Sequence, residues 1–224
     1  MKLKDKIKII RSDFLYKTLF VSVFSTFITL IFAVYNAYLG LKYRDSFATG
    51  ISIYYLLLVI IKFSTIIIEK KILLKAEEEK INIRHKNYII SSCLIFFIDV
   101  CLIAPIIIRV INPSNVNFGI IPAITMACYS TYKIIFAILN YKRSINSQNP
   151  TTILIRTINV IDASVSILTL QHTLIMVNDG MSYEMRILSL ITSITFIIVI
   201  IIFSIISFIR NKNLFNQQKH CSKN

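Results

Sequence analysis

The sequence predicts an all-α, polytopic membrane protein, a bundle of six transmembrane helices with both termini in the cytoplasm. Apolar residues make up 55% of the 224 residues and charged residues only 16%, against about 25% charged residues in soluble domains. The mean hydropathy is +0.69. Six segments reach the roughly 20 apolar residues that cross a bilayer. These figures exclude a soluble globular domain, a disordered chain and a disulfide scaffold.

The spans are predicted to form a single domain, residues 1–224, and to lie near 18–41, 51–69, 88–110, 119–141, 152–177 and 187–209. A β-barrel is excluded because the apolar runs are too long and lack a period of two. The N-terminus is basic, as in a signal peptide, but the apolar stretch after Lys17 is too long for one. We therefore predict that this stretch is retained as span one.

The lysines and arginines predict the orientation. Eighteen of them lie in tail 1–17, the second and fourth loops and tail 210–224, whereas four lie in the other three loops. This alternation predicts that both tails are cytoplasmic. We assign the formal net charge of +14 to topology and to attraction of anionic lipids at the cytoplasmic face. Nucleic acid is not an expected partner, because nucleic-acid proteins gather basic residues on one folded face.

Two interruptions in the apolar pattern predict local features. The second loop, 70–87, mixes apolar and charged residues, which predicts that helix two extends beyond the membrane and turns back. A solvated hairpin is favoured there, and a docking surface for a protein partner is the alternative. Pro105 lies inside span three, and proline in a helix interior removes a backbone hydrogen bond. The sequence therefore predicts a kink in span three.

Charged residues inside the spans are the main candidates for function. Each costs about 2.5–3.5 kcal/mol at a helix centre unless it is paired or hydrated. Lys62, Asp99, Lys133 and Asp162 are predicted at similar depth near the midplane. Since a short loop joins spans three and four, Asp99–Lys133 is the pair expected first, and Lys62–Asp162 the second.

Polar residues accompany these charges at spacings of three or four, which places them on one helix face. The only polar residues of span six are serine and threonine, and this span is predicted to face lipid. The candidate site is Lys62, Asp99, Tyr129, Lys133, Asn159, Asp162 and Ser166. Two interpretations stay open. The layer is a substrate, ion or proton site, or it is a set of ion pairs and hydrogen bonds that fixes helix register.

Other chemistry is poorly represented in the sequence. The four cysteines show no metal-ligand or redox spacing, and no nucleotide, hydrolase or metalloprotease motif occurs. His172, with Asp179 and Glu184 in the following loop, is interpreted as a hydrated helix end rather than a metal site. We therefore predict no enzymatic activity, no cofactor and no metal.

Several short motifs lie at span ends and in span five. They are Y-N-x-x-L-G at 35–40, Y-Y-x-x-L at 54–58, T-Y-K followed by A-I-x-N-x-K-R at 131–143, and V-S-x-L-x-L-Q at 165–171. Their order and spacing resemble an uncharacterised family of six-span membrane proteins, similar in length to this chain, from low-GC Gram-positive bacteria. The resemblance covers about 20–210 and implies a bacterial cell membrane without implying an activity.

In size, charge and span number the chain is also similar to the substrate-binding subunits of energy-coupling transporters. Those subunits dock through an A-x-x-x-A in span one, a spacing present here at Ala33 and Ala37. With the polar midplane layer as its site, the predicted function is transport-related, as a carrier or a transporter subunit. The alternative is a membrane interaction or scaffold protein in which the intramembrane charges only fix helix packing.

Overall fold

The computed structural model describes residues 3–72, 77–111, 119–144, 150–177 and 183–221, and it is all-α within them. Six stretches are long and apolar enough to cross a membrane, which confirms the predicted class and the number of spans. The helices are α1 (Leu3–Tyr43), α2 (Ser46–Ile72), α3 (Glu77–Cys101), α4 (Ile103–Ile111), α5 (Ile120–Ser144), α6 (Pro150–Val177) and α7 (Tyr183–Cys221). Away from its ends, a helix pairs its backbone polar groups internally, as lipid requires.

The apolar stretches agree with the predicted spans to within a few residues at most ends. They are Phe20–Tyr43, Ser46–Ile72, Asn82–Arg109, Ile120–Asn140, Thr151–Val177 and Ile187–Ile206. The predicted tails are largely helical, since α1 already begins at Leu3 and α7 continues to Cys221. In the second loop α2 ends at Ile72, where its apolar stretch also ends, whereas α3 begins at Glu77, five residues before its apolar stretch. Residues 73–76 lie outside the described residues.

Helix α6 is the central helix of the bundle. It contacts α1, α2, α3, α5 and α7. Within its apolar stretch 67% of the residues are buried, against 22% for the apolar stretch of α7. Large side chains on α7, such as Ile191 and Ile198, are more than half exposed. These exposures agree with the prediction that span six faces lipid, and they leave α6 to supply buried polar groups.

The predicted kink in span three is a break between two helices. Helix α3 ends at Cys101, Leu102 is a turn residue, and α4 begins at Ile103 with Pro105 in its first turn. A proline is tolerated there because the first helical N–H groups have no intrahelical acceptor. Gly50 of α2 lies against it, since a Cβ added at Gly50 would stand 2.6 Å from Pro105 Cβ. The missing side chain lets α2 and α4 approach closely.

A tight turn joins α1 to α2. Arg44 has a φ of 53°, in the left-handed region that often ends helices, and Asp45 N–H donates to Gly40 O at 3.0 Å. Asp45 Oδ2 accepts the N–H of Ala48 at 2.9 Å and so caps the start of α2. We call this the Asp45 end of the bundle. The opposite end, where α2 finishes beside Glu69, is the Glu69 end.

Candidate functional site

A cluster of charged side chains lies inside the bundle where α1, α2, α5 and α6 meet. Lys62 Nζ of α2 donates to Asp162 Oδ2 of α6 at 2.6 Å. Lys133 Nζ of α5 donates to the same oxygen at 2.5 Å and to Thr29 Oγ1 of α1 at 2.5 Å. Thr29 Oγ1 itself is 3.2 Å from Asp162 Oδ2. We call Thr29, Lys62, Lys133 and Asp162 the lysine–aspartate cluster.

The cluster is fully enclosed by protein. The exposed fraction is 1% for the Lys62 side chain, 2% for Lys133 and 0% for Asp162. Charges removed from solvent in this way are costly unless they are paired. Two ammonium groups face one carboxylate, so the cluster carries one positive charge that no acidic partner balances among the described residues.

Several buried polar atoms around the cluster have no hydrogen-bond partner among the described residues. Asp162 uses only Oδ2, and its Oδ1 is unpaired. Asn159, one turn away on α6 and 3% exposed, has both amide atoms unpaired. On α1 the hydroxyls of Ser22 and Ser25 are also unpaired. Native interiors pair most such groups, and those left over mark sites that need an explanation.

Aromatic rings cover the side of the cluster toward the Asp45 end. Lys133 Nζ lies 5.3 Å from the centroid of the Tyr129 ring, a distance at which a cation is attracted to the ring face. Tyr129 stacks on Phe32 of α1 with centroids 3.4 Å apart and meets Tyr55 of α2 edge-on at 6.2 Å. The hydroxyls of Tyr55 and Tyr129 have no partner among the described residues.

A groove between α1 and α5 ends at the same aromatic layer. Its volume is about 400 Å³, and Phe32, Tyr129 and Tyr132 line it together with Ile28, Ile124, Thr125 and Cys128. The lining is almost entirely apolar, and Ile124 beside it is 59% exposed. The stacked Phe32 and Tyr129 rings line this groove, and the Tyr129 ring also lies beside Lys133.

The structure contradicts the pair that was expected first. Asp99 does not meet Lys133. Its carboxylate accepts hydrogen bonds from Tyr54 Oη of α2 at 3.2 Å and from Ser204 Oγ of α7 at 3.2 Å. The short loop predicted that spans three and four are neighbours, but neither α3 nor α4 contacts α5 among the described residues. Helix α3 packs against α2, α6 and α7 instead. The second expected pair, Lys62–Asp162, is confirmed.

The other candidate residues divide between the cluster and helix packing. Tyr129 and Asn159 flank the cluster, as described above. Ser166 is buried on α6 but donates within its own helix, to Ala163 O at 2.7 Å, and its carbonyl accepts Ser130 Oγ of α5 at 2.8 Å. Ser166 therefore joins α5 to α6 and does not contact the charged residues in the described contacts.

One further ion pair and one histidine–aspartate contact, neither of which the sequence predicted, lie toward the ends of the bundle. At the Glu69 end, Arg84 of α3 donates through Nε and Nη2 to the Glu69 carboxylate, and Thr151 Oγ1 donates to Glu69 Oε2 at 2.6 Å. At the Asp45 end, His172 Nε2 lies 2.8 Å from Asp45 Oδ2. Helix α6 thus contributes to three polar layers, through Thr151, Asp162 and His172.

His172 corrects a second expectation. It was interpreted as part of a hydrated helix end, yet its exposed fraction is 1%, and its ring packs against Phe47 with centroids 4.3 Å apart. Asp179, one of the two acidic residues expected near it, lies outside the described residues. A sequence signal did exist for Asp45, because Asp before the first turn of α2 is a favoured helix cap, but nothing in the sequence connected it to His172.

The described residues bring no three His, Cys, Asp or Glu side chains together as metal ligands. The A-x-x-x-A spacing of span one is turned inward, since Ala33 is fully buried and its carbonyl accepts Ser52 Oγ of α2 at 2.9 Å. Comparisons with models of protein families, with curated proteins and with solved structures each find no match. The function has to be inferred from the residues themselves.

Proposed function

We propose that this chain is a transport-related membrane protein, acting alone or as a subunit of a transporter, and that its cargo meets the lysine–aspartate cluster. The observation that carries the proposal is the second ammonium group on one buried carboxylate oxygen. A packing device needs one charge of each sign, whereas an additional buried charge lowers stability. Ionisable groups inside a membrane bundle are associated with substrate and ion pathways.

The setting of this activity is also part of the proposal. We place the protein in a bacterial plasma membrane because its motifs resemble those of a bacterial family, and we place both termini in the cytoplasm because 18 basic residues alternate with 4 across the spans. Helix α3 begins five residues before its apolar stretch, and we assign to 70–87 any contact with a protein partner. No catalytic step is included.

A scaffold function is the second candidate, and one observation favours it. The lysine–aspartate cluster joins four helices through one oxygen and one hydroxyl, as a device that fixes helix register would. Asp99, which links α2, α3 and α7 through two hydroxyls, fits that role equally well. The two functions differ in whether water and cargo reach the cluster.

Cysteine labelling from each side of the membrane tests this difference. Asn159→Cys introduces a thiol beside the cluster without removing a hydrogen bond that the described residues show. Cys93, Cys101, Cys128 and Cys221 are first changed to Ser. Intact cells and inverted vesicles are then treated with a membrane-impermeant methanethiosulfonate reagent. A transport site predicts labelling from both sides, because both must open to it in turn.

The matched control is Ile60→Cys on α2, whose side chain is 60% exposed on the outer surface of the bundle. That thiol should face lipid and stay unlabelled from either side. Gly119→Cys, outside the apolar stretches, reports which side of the membrane each reagent reaches. If Asn159→Cys resists the reagent from both sides while Gly119→Cys is labelled, the transport proposal is wrong and the scaffold function stands.

A further inference from the structure

The lysine–aspartate cluster has a charge imbalance that points to the chemical class of its ligand. We infer that it binds a small monovalent anion, held by Lys62 and Lys133 beside Asp162. The inference rests on the proposed function, because it takes this cluster as the binding site. Two ammonium groups and one carboxylate leave one positive charge in an enclosed interior. A single negative charge would make the site neutral.

The unused hydrogen-bonding capacity of the lysines agrees with this inference. An ammonium group has three N–H donors. Among the described residues Lys62 uses one of them, on Asp162, and Lys133 uses two, on Asp162 and Thr29. Three donors of the two lysines therefore remain for a ligand. Because both lysines bind the same oxygen atom, their ammonium groups lie close enough for one small anion to accept from both.

A neutral donor lies one turn along α6 from the cluster. The amide nitrogen of Asn159 is buried and has no acceptor among the described residues. Amide N–H groups and ammonium groups together are the donors that hold carboxylates and inorganic anions without any further acid or base. An anion with two oxygen atoms, such as a carboxylate, can accept from both lysines at once, and a halide can do so as a single sphere.

Aromatic walls restrict the size of the ligand. Tyr129 covers Lys133 at 5.3 Å from its ring centroid, and Tyr55 packs edge-on against Tyr129. The lysines and Asp162 are almost completely enclosed, which favours an anion of a few heavy atoms over a larger one.

The test measures thermal unfolding of the purified full chain in detergent, at constant ionic strength, with a bulky sulfonate as the only starting anion. Chloride, nitrate, formate and acetate are each titrated in, and calorimetry follows any that raises Tm. A ligand that binds the folded protein alone raises Tm progressively with its concentration. At least one probe should do so, and Lys62→Met or Lys133→Met should weaken its affinity by about tenfold or more.

Matched variants separate this site from general salt effects. Lys71→Met removes an exposed lysine at the end of α2, and Asp99→Asn removes a buried acid outside the cluster. Both should keep the full response. If either cluster lysine variant fails to fold, Thr29→Val takes its place, because it removes an oxygen that binds Lys133 without changing the net charge.

The outcomes also separate this inference from the proposed function. If none of the four anions raises Tm, the inference is overturned. That result is expected if one of the two lysines is uncharged, because the cluster is then already neutral. If Asn159→Cys is still labelled from both sides, the transport function survives with a different ligand. If neither response is seen, both the inference and the transport function are wrong. An equal response in wild type and in both lysine variants also overturns the inference.

Discussion

Lys62 and Asp162 are 100 positions apart in the chain, and their side chains meet at 2.6 Å inside the bundle. This pair would be neutral by itself. Lys133 adds a second ammonium group to the same carboxylate oxygen. Loss of the carboxylate and loss of one lysine should therefore affect stability differently. The carboxylate has no substitute, whereas each lysine leaves a neutral pair behind when it is removed.

Substitutions in the cluster should therefore have opposite consequences for stability. Asp162→Asn leaves two buried ammonium groups with no counter-charge and should lower the free energy of unfolding by about 3–5 kcal/mol. Lys133→Met leaves the Lys62–Asp162 pair in place and should change it by less than about 1 kcal/mol, or raise it. SDS titration in mixed micelles, followed by far-UV circular dichroism, measures both values in the absence of small anions.

Asp99→Asn is the matched control for the loss of an acid. Asp99 is 2% exposed, but its partners are the neutral hydroxyls of Tyr54 and Ser204. An asparagine at that position can still accept from one hydroxyl and donate to the other. A loss for Asp99→Asn as large as that for Asp162→Asn would show that the excess charge is not what sets the cluster apart.

A double-mutant cycle between Asp99 and Lys133 provides the second prediction. The two residues share no partner, since Asp99 bonds to Tyr54 and Ser204 and Lys133 bonds to Thr29 and Asp162. The effects of Asp99→Asn and Lys133→Gln on the free energy of unfolding should add to within about 0.5 kcal/mol. Lys133→Gln with Asp162→Asn should instead show a coupling of about 0.5–3 kcal/mol. A strong coupling between Asp99 and Lys133 would restore the pair that the loop length suggested.

The number of spans could be predicted from sequence because lipid allows few alternatives. A long apolar segment must be helical there, and the apolar length fixes where it crosses. The depth of three charged residues in the membrane was also predictable. Lys62, Lys133 and Asp162 were predicted at one level, and their side chains do meet. The burial of Asn159, Asp162 and Ser166 was also predictable, because their spacing puts them on one face of α6.

Partner choice could not be predicted, because it depends on which helices are neighbours and on how each is rotated about its axis. Helix α6 is buried against five others, so a polar stripe on it does not indicate which neighbour it faces. A short loop joins spans three and four, yet neither α3 nor α4 contacts α5 among the described residues, and Asp99 meets Tyr54 and Ser204 instead. Contacts such as Asp45–His172, 127 positions apart, leave no periodic trace in a single sequence.

Asp45 carries two contacts on one oxygen, and substitutions can separate them. Its Oδ2 caps α2 through Ala48 N–H and also lies 2.8 Å from His172 Nε2. Asp45→Ser supplies a hydroxyl that can still cap α2, whereas Asp45→Ala leaves no capping group. The Asp45→Ala protein should therefore be the less stable of the two by about 1 kcal/mol. Thermal unfolding of both variants in wild-type and His172→Gln backgrounds measures this difference.

The background variant isolates the histidine contact. Asp45→Ser should lower Tm less in the His172→Gln protein than in the wild type, because the side chain that Asp45 meets has already been changed. The difference between Asp45→Ser and Asp45→Ala should be the same in both backgrounds, since capping involves only Ala48 N–H. Equal effects of Asp45→Ser in both backgrounds would mean that the His172 contact adds nothing to stability.

Gly50 offers a prediction in which the sign alone is informative. On an open helix surface, replacing glycine with alanine raises stability by about 1 kcal/mol. At Gly50 the new Cβ would stand 2.6 Å from Pro105 Cβ, and such overpacking costs about 1–3 kcal/mol. Gly50→Ala should therefore lower the free energy of unfolding, as measured by SDS titration.

Pro105→Gly, introduced into the Gly50→Ala protein, removes the opposing Cβ and should be less harmful there than in the wild type. A Gly50→Ala protein that is more stable than the wild type would show that α2 and α4 are free to separate, and that the break between α3 and α4 is not held by this contact.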